Sequence, residues 1–361
     1  MFFEQMYYSP DYKKDLGQFD ALRKKYYLSR KKCEAQGFIS DCCGKVICSH
    51  SISKKFLRKI ASNDGHVYCF DDRIMGLEER NGEMGLRRVG ISNASTYNMF
   101  CSQHDKSLFS PIEDCELIPD ENQCLRLMYR ALMMERHHKE SQFLIWNYMV
   151  DNAKSPFEFL LSSPMLECSK IALKETDLIK EKISAAVKAN DVSALRVLRI
   201  YFRKKPGFLC SGAFFPEYDY SGSRLWCPGS FFPNTDVLSF NIVALSGNNP
   251  NNYNGVAIIS WLDNPGQNHC QQFIGSMHNI ALSDISNVLV HTIFEYIENI
   301  CISPSWWDSK EKKIQDTLLY LHAIQKHSPL KYKEITIQYD NWNTADAQLW
   351  NGQNWIPFSF S

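Results

Sequence analysis

Four cysteines, Cys33, Cys42, Cys43 and Cys48, fall within 16 residues near the start of this 361-residue chain, and a C-x2-H pair, Cys101-Ser-Gln-His104, follows further on. Thiolate and imidazole are preferred zinc ligands, and a C-x2-H pair opening a helix turns both toward one ion. A tetrahedral site then needs two more ligands, for which Cys33 and either Cys42 or Cys43 are the obvious suppliers. The expected set is Cys33, Cys43, Cys101 and His104 around a structural Zn2+. Such a site obliges an N-terminal knuckle to close onto a later helix, which constrains the fold more than any other feature. The total of 13 cysteines is odd, so complete pairing into disulfides is excluded. The seven from Cys115 to Cys301 are scattered singly and read as small buried hydrophobes.

Composition narrows the classes. With 44% hydrophobic and 22% charged residues the chain reads as globular and not as disordered. No apolar run approaches the roughly 20 residues of a membrane span. The opening MFFEQMYYSPDYKKD carries charges where a secretory signal needs an apolar stretch. The expectation is a cytoplasmic protein with reduced thiols and no membrane partner. Forty basic residues balance forty acidic ones, but between Met1 and Ile60 there are 13 Lys+Arg against 6 Asp+Glu. That local excess is either a solvated face or a surface for phosphates.

The patterning predicts an α+β chain in three parts: a Cys/His module over 1–115, a helical region over 116–205, and an α+β domain over 206–361 with a mixed sheet. In the first part, helices are expected at Asp15–Lys31 and Ser53–Ala61, short strands at Val46-Ile47 and Val67-Tyr68, a turn at Asn63-Asp64-Gly65, and an irregular insertion at Met75–Gly90. Leu125, Met128, Leu132 and Met133, and Ile179, Ile183, Ala186 and Val187, recur at steps of three and four residues and predict two helices. Asn190-Asp191 is read as a break before a further helix at Val192–Phe202. Val237–Leu245 and Val256–Leu262 flank an Asn-rich loop and predict a hairpin. A helix at Asp284–Ile300, a strand at Ile335–Tyr339 and a strand in the tail NWIPFSFS complete the reading.

Around the cysteines a second pattern stands out. Val46-Ile-Cys-Ser-His50-Ser-Ile-Ser-Lys54 is an apolar strand ending in a histidine, and Asn98-Met-Phe-Cys101-Ser-Gln-His104-Asp105-Lys106 enters a helix. Residues 33–110 thereby resemble the HNH (His-Me finger, treble-clef) nucleases. The resemblance implies His50 as general base, Cys101 and His104 as zinc ligands, Asp105 at a catalytic Mg2+ or Mn2+, and Asn98 as an orienting residue. Ser49, His104 and Asp105 depart from the residues usual in that family, and the span between His50 and Cys101 is longer than in compact members. The activity implied is cleavage of phosphodiester bonds in DNA. The C-terminal region would sense a trigger or bind a protein partner, as the appended domains of bacterial defence nucleases do. The residues leave another reading open: Cys43-x6-His50 with Cys101-x2-His104 makes a complete Cys2His2 set. His50 is then a ligand, and the module a non-catalytic adaptor for a protein or a nucleic acid.

Other motifs are weaker. Glu135-x-x-His138 is similar to the E-x-x-H of di-iron bundles, and Arg130 with His137 to the HEPN ribonucleases. No second E-x-x-H copy is present, and ERHHKE reads as a solvated helix face. His66 reads as polar surface or a second active-site histidine. Trp306-Trp307 is expected to pack against the sheet, and Trp342, Trp350 and Trp355 to form a recognition surface or pack an edge strand.

Overall fold

Branched and aromatic residues crowd the segments 195–214 and 238–262, and these segments form the centre of a nine-stranded sheet. The computed structural model describes residues 12–39, 42–71, 73–226, 234–246, 251–324 and 332–361. Four strands, β5 (Leu195–Phe202), β6 (Phe208–Phe214), β7 (Leu238–Ala244) and β8 (Gly255–Leu262), are buried at nearly every position. A strand sandwiched on both faces loses the usual alternation and reads as a continuous apolar run. That ambiguity explains why Val192–Phe202, expected as a helix, is strand β5. It pairs antiparallel with β8 from Leu195↔Leu262 to Phe202↔Gly255. The β7–β8 hairpin is present, with Ser239↔Ser260 to Ala244↔Gly255 in register; residues 247–250 of its Asn-rich loop lie outside the described residues.

Helices cover both faces. On one side lies an antiparallel pair, α5 (Glu121–Asp151) and α6 (Pro156–Ala189). Asp120 caps α5 by accepting the Gln123 N–H at 2.8 Å, and Asn190, left-handed at φ 52°, closes α6 where a break was expected. On the other side, α7 (His269–Ser276) and α8 (Ile285–Tyr296) pack Phe273 and Phe294 against Phe214 and Phe208. A Cβ on Gly212 of β6 would stand 2.9 Å from Ile297, so the chain leaving α8 approaches only because that residue is glycine.

The sheet continues past β6 through a three-residue strand, β9 (Ile300–Ile302), to two strands from the N-terminal part, β2 (His66–Phe70) and β3 (Leu86–Gly90). Its full order is β11-β10-β5-β8-β7-β6-β9-β2-β3, with β10 (Thr344–Trp350) and β11 (Trp355–Pro357) at the far edge. The sheet therefore draws strands from each of the three expected parts. Met75–Gly90 is not an irregular insertion: it holds the end of α3 (Ile74–Glu79) and all of β3, which pairs with β2. Nor is Ile335–Tyr339 a strand. The Asn287 side chain bonds the Ile337 carbonyl and the Tyr339 N–H, so these groups are satisfied without a strand partner. Trp342 and Trp350 are buried, and Trp306 packs on Phe208 while donating to Asp340.

The remaining elements form the N-terminal part. Helix α1 (Tyr12–Arg23) runs into a π-helical turn at Lys24–Leu28. A two-stranded ribbon joins β1 (Val46–His50) to β4 (Thr96–Cys101) in antiparallel register, and α4 (Ser102–Glu113) follows β4 directly. The expected helix at Ser53–Ala61 shortens to α2 (Lys54–Leu57), capped by Ser53. No described helix is long and apolar enough to cross a membrane.

Candidate metal centre

The knuckle, the β1–β4 ribbon and the first turn of α4 meet at one point. Glu34 donates its backbone N–H to the Met99 carbonyl at 2.8 Å, pinning the knuckle to β4. Gly37 and Gly44 take the positive φ values that fold the knuckle back to β1. Ser102 donates its N–H to the Lys45 carbonyl at 3.0 Å, so α4 starts beside the start of β1. The Cys101 thiol caps α4 by accepting the His104 N–H at 3.4 Å, and Cys33 Sγ accepts the Cys101 N–H at 3.4 Å.

These contacts gather Cys33, Cys42, Cys101 and His104, whose ligand atoms all lie within 4.8 Å of one another. Cys33 Sγ is 3.2 Å from His104 Nδ1. The group fits a small tetrahedral ion, since bonds of about 2.3 Å to sulfur and about 2.0 Å to nitrogen place ligand atoms roughly 3.5 Å apart. Cys33, Cys101 and His104 are buried and Cys42 is half-buried. Burial pushes the Cys33 thiol up to about 12 although the Cys101 N–H points at it. A buried thiolate there calls for a cation.

Three members of the expected set are brought together, and the fourth differs. Cys42, not Cys43, completes the group. The neighbouring Cys43 is exposed instead, with its Sγ 3.5 Å from Ser102 Oγ. That hydroxyl, with the Gln103 and Lys45 N–H groups, lowers the Cys43 thiol to about 6.

His50 is not part of the group, so the alternative in which it is a ligand does not match this arrangement. It ends β1 opposite Thr96, five residues before Cys101, or roughly 17 Å along the strand at about 3.4 Å per residue. Its Nε2 lies 2.9 Å from the Ile91 carbonyl. A carbonyl only accepts, so Nε2 carries the proton and Nδ1 is the lone-pair nitrogen of the neutral ring. The turn beyond His50 is clasped by Ser95, which holds a left-handed φ of 55° and accepts the Ile52 N–H on its hydroxyl.

Helix α4 runs back along the ribbon, since Ser53 donates to Glu113 at 2.5 Å and Lys55 bonds the Glu113 and Cys115 carbonyls. Asp105 therefore sits in the first turn of α4 at the Cys3His end, while His50 sits at the other end of the ribbon. Asn98 donates its side-chain N–H to the Leu28 carbonyl at 2.6 Å. His66 is a surface residue whose Nδ1 is 3.0 Å from the Asp64 carbonyl. Several early cations make internal contacts. Lys59 bonds the Ala244 carbonyl, Lys54 bonds Ser92, and Arg30 and Lys32 both reach Glu140.

The face of α5 read as solvated is buried: Arg136, His137 and His138 are each under 7% exposed. Arg136 pairs with Glu34, Glu140 and Asp177, and Lys180 joins Glu34 at 3.0 Å. His137 accepts from Arg30 on Nδ1 at 2.9 Å and donates from Nε2 to the Tyr27 carbonyl. The explanation lies at the partner end: Arg30 and Glu34 lie beside Cys33 in sequence and are drawn inward with it, while Lys32 reaches Glu140 from the surface. Glu135 lines a cavity of about 150 Å3 with Lys139, Trp226, Tyr296 and Glu298.

Comparison with models of known protein families, with curated proteins and with solved structures gives no match in any of the three. Fold and site together define an α+β protein carrying a Cys3His group that could bind a metal ion such as zinc.

Proposed function

We propose that the chain is an HNH-like, metal-dependent endonuclease that cleaves phosphodiester bonds in DNA, with a structural zinc on Cys33, Cys42, Cys101 and His104. One observation carries the reading: the Cys3His group is complete without His50, whose Nε2 is held by the Ile91 carbonyl. His50 is thereby left with an Nδ1 lone pair suited to taking a proton from water. Asn98 fixes β4 against Leu28 and so holds the strand opposite His50. Asp105 is the carboxylate proposed for the catalytic ion. A bound Mg2+ or Mn2+ would supply positive charge where negative charge develops on the phosphate.

The adaptor reading is favoured by a different observation. His50 and Asp105 occupy opposite ends of the ribbon, and several of the early lysines and arginines are spent on internal partners. Plasmid cleavage by the zinc-loaded chain with Mg2+ or Mn2+ separates the two. The nuclease reading expects nicking by the wild type and a loss of about 100-fold or more in His50→Ala at unchanged zinc content. Full activity in that variant removes His50 as the base. An inactive wild type with either ion leaves the adaptor.

A further inference from the structure

Cys69 and Cys301 lie 232 positions apart in sequence, yet they stand directly opposite each other on β2 and β9, with their sulfurs 3.8 Å apart. Opposed residues of an antiparallel pair have Cα atoms roughly 4.5–5.5 Å apart, inside the range of about 4.4–6.8 Å that a disulfide spans. Closure therefore needs side-chain rotation and little movement of the strands. Cys69 is half-buried and reachable, while Cys301 is buried beneath it.

The place of this pair in the fold gives it consequence. β2 joins β9 through two register pairs, Tyr68↔Ile302 and Cys69↔Cys301, whereas β5 and β8 share eight. Among the described residues, this short seam alone links the N-terminal hairpin β2–β3 to the C-terminal sheet through strand pairing. The same hairpin leads into Ile91, which donates its N–H to the Gly65 carbonyl and holds His50 with its own carbonyl.

We propose that Cys69 and Cys301 form a reversible disulfide that locks the β2–β3 hairpin onto the C-terminal sheet under oxidising conditions. A peroxide is the oxidant. The Cys69 sulfur takes one peroxide oxygen as a sulfenic acid, and the peroxide leaves as water. The Cys301 sulfur then attacks, loses its proton and expels the second oxygen as water. Two thiols are oxidised by two electrons, and one peroxide is reduced to two waters. A dithiol reverses the step by exchange. Cys69 reacts first because it is the accessible member, and the nearby Cys301 resolves it before further oxidation.

The test uses the zinc-loaded full chain treated with hydrogen peroxide, alkylated and mapped by peptide mass spectrometry, with amide exchange measured in parallel. A Cys69–Cys301 linkage is expected, with exchange in β2, β3 and β9 slowed about tenfold or more and restored by dithiothreitol. Cys69→Ser and Cys301→Ser are expected to abolish both effects, and Cys210→Ser, on the neighbouring strand, to keep them. Free, alkylatable Cys69 and Cys301 in protein whose exposed Cys43 and Cys115 have been oxidised would overturn the pairing. A linkage that leaves exchange unchanged would overturn the lock.

Discussion

The β1–β4 ribbon and strands β5–β8 are both antiparallel, but they are held in different ways. In β6 and β7 every residue is buried, and in β8 all but the last. In β1 only Ser49 is buried, and in β4 only the last three residues. The central strands are stabilised by apolar area, which is insensitive to metal and to moderate pH. The ribbon buries less of it, chiefly Met99 and Phe100 of β4, and adds directed partners: thiol and imidazole at one end, ion pairs around Glu34 behind it, and side-chain clasps at the other. Burial makes a region stable under most conditions, whereas ligation makes it stable when its ligands are in the right state.

The largest difference is expected on metal removal. Structural zinc sites supply about 10 kcal/mol of binding free energy to the segments they join. A strong chelator, or Cys101→Ser, is expected to release amide protection in residues 30–39, 42–50 and 96–110 while β5–β8 stay protected. Hydrogen exchange followed by mass spectrometry reads both at once. Equal loss in the two regions would show that the ribbon and the central sheet unfold together and that the contrast is false.

Next is a core deletion on the other side of the comparison. Phe240 is fully buried on β7 against Phe214 and opposite Gly212 and Ile259. Phe240→Ala is expected to cost about 3–5 kcal/mol, and the same amount with and without zinc. A cost that depends on zinc would couple the two regions. Slightly smaller is the effect of Glu34→Gln. Glu34 is fully buried beside Cys33, and one of its oxygens receives both Arg136 and Lys180. Removing that charge takes the Glu34 counter-ion from Lys180 and leaves Arg136 with Glu140 and Asp177, and it is expected to cost about 3 kcal/mol in urea unfolding. Replacing Glu34, Arg136 and Lys180 together by apolar residues of similar volume is expected to recover much of it.

The same contrast decides what could be read from the sequence. The metal group was legible because ligand chemistry is local: C-x2-H at a helix start and cysteines on a knuckle mean the same thing in most folds. The choice between Cys42 and Cys43 was not, because it depends on which of two adjacent side chains faces inward. The β7–β8 hairpin was legible from two apolar runs around a turn. β5 was misread because burial on both faces erased its alternation. The buried face of α5 was hidden for a related reason. Its arginine and histidines look solvated until the knuckle brings Arg30 and Glu34 against them, and those partners lie more than a hundred residues away.

The smallest expected effect is a slope. Burial first, and then the Arg30 guanidinium, push the ring of His137 down to about 3 from an ordinary value of 6.5. Burial lowers His291 and His322 to about 4. Each of these folded-state values is depressed, so the associated stability is complete above pH 6.5. It is lost as the pH falls toward the folded value, because the unfolded chain takes up protons that the folded chain refuses. The limit is about 1.4 kcal/mol per pH unit for each ring. Protonation of the metal ligands acts in the same direction, so the informative quantity is the difference between wild type and His137→Gln at equal zinc. The variant loses hydrogen bonds and is expected to be less stable by about 1–3 kcal/mol at pH 7.5. It no longer binds the extra proton on unfolding, so this gap should narrow steadily between pH 6.5 and pH 5 in urea titrations. A gap that stays constant over that range would mean that His137 is protonated in the folded protein as readily as in the unfolded chain. The ion-pair layer behind the knuckle would then be open to water, and the ribbon would depend on its metal alone.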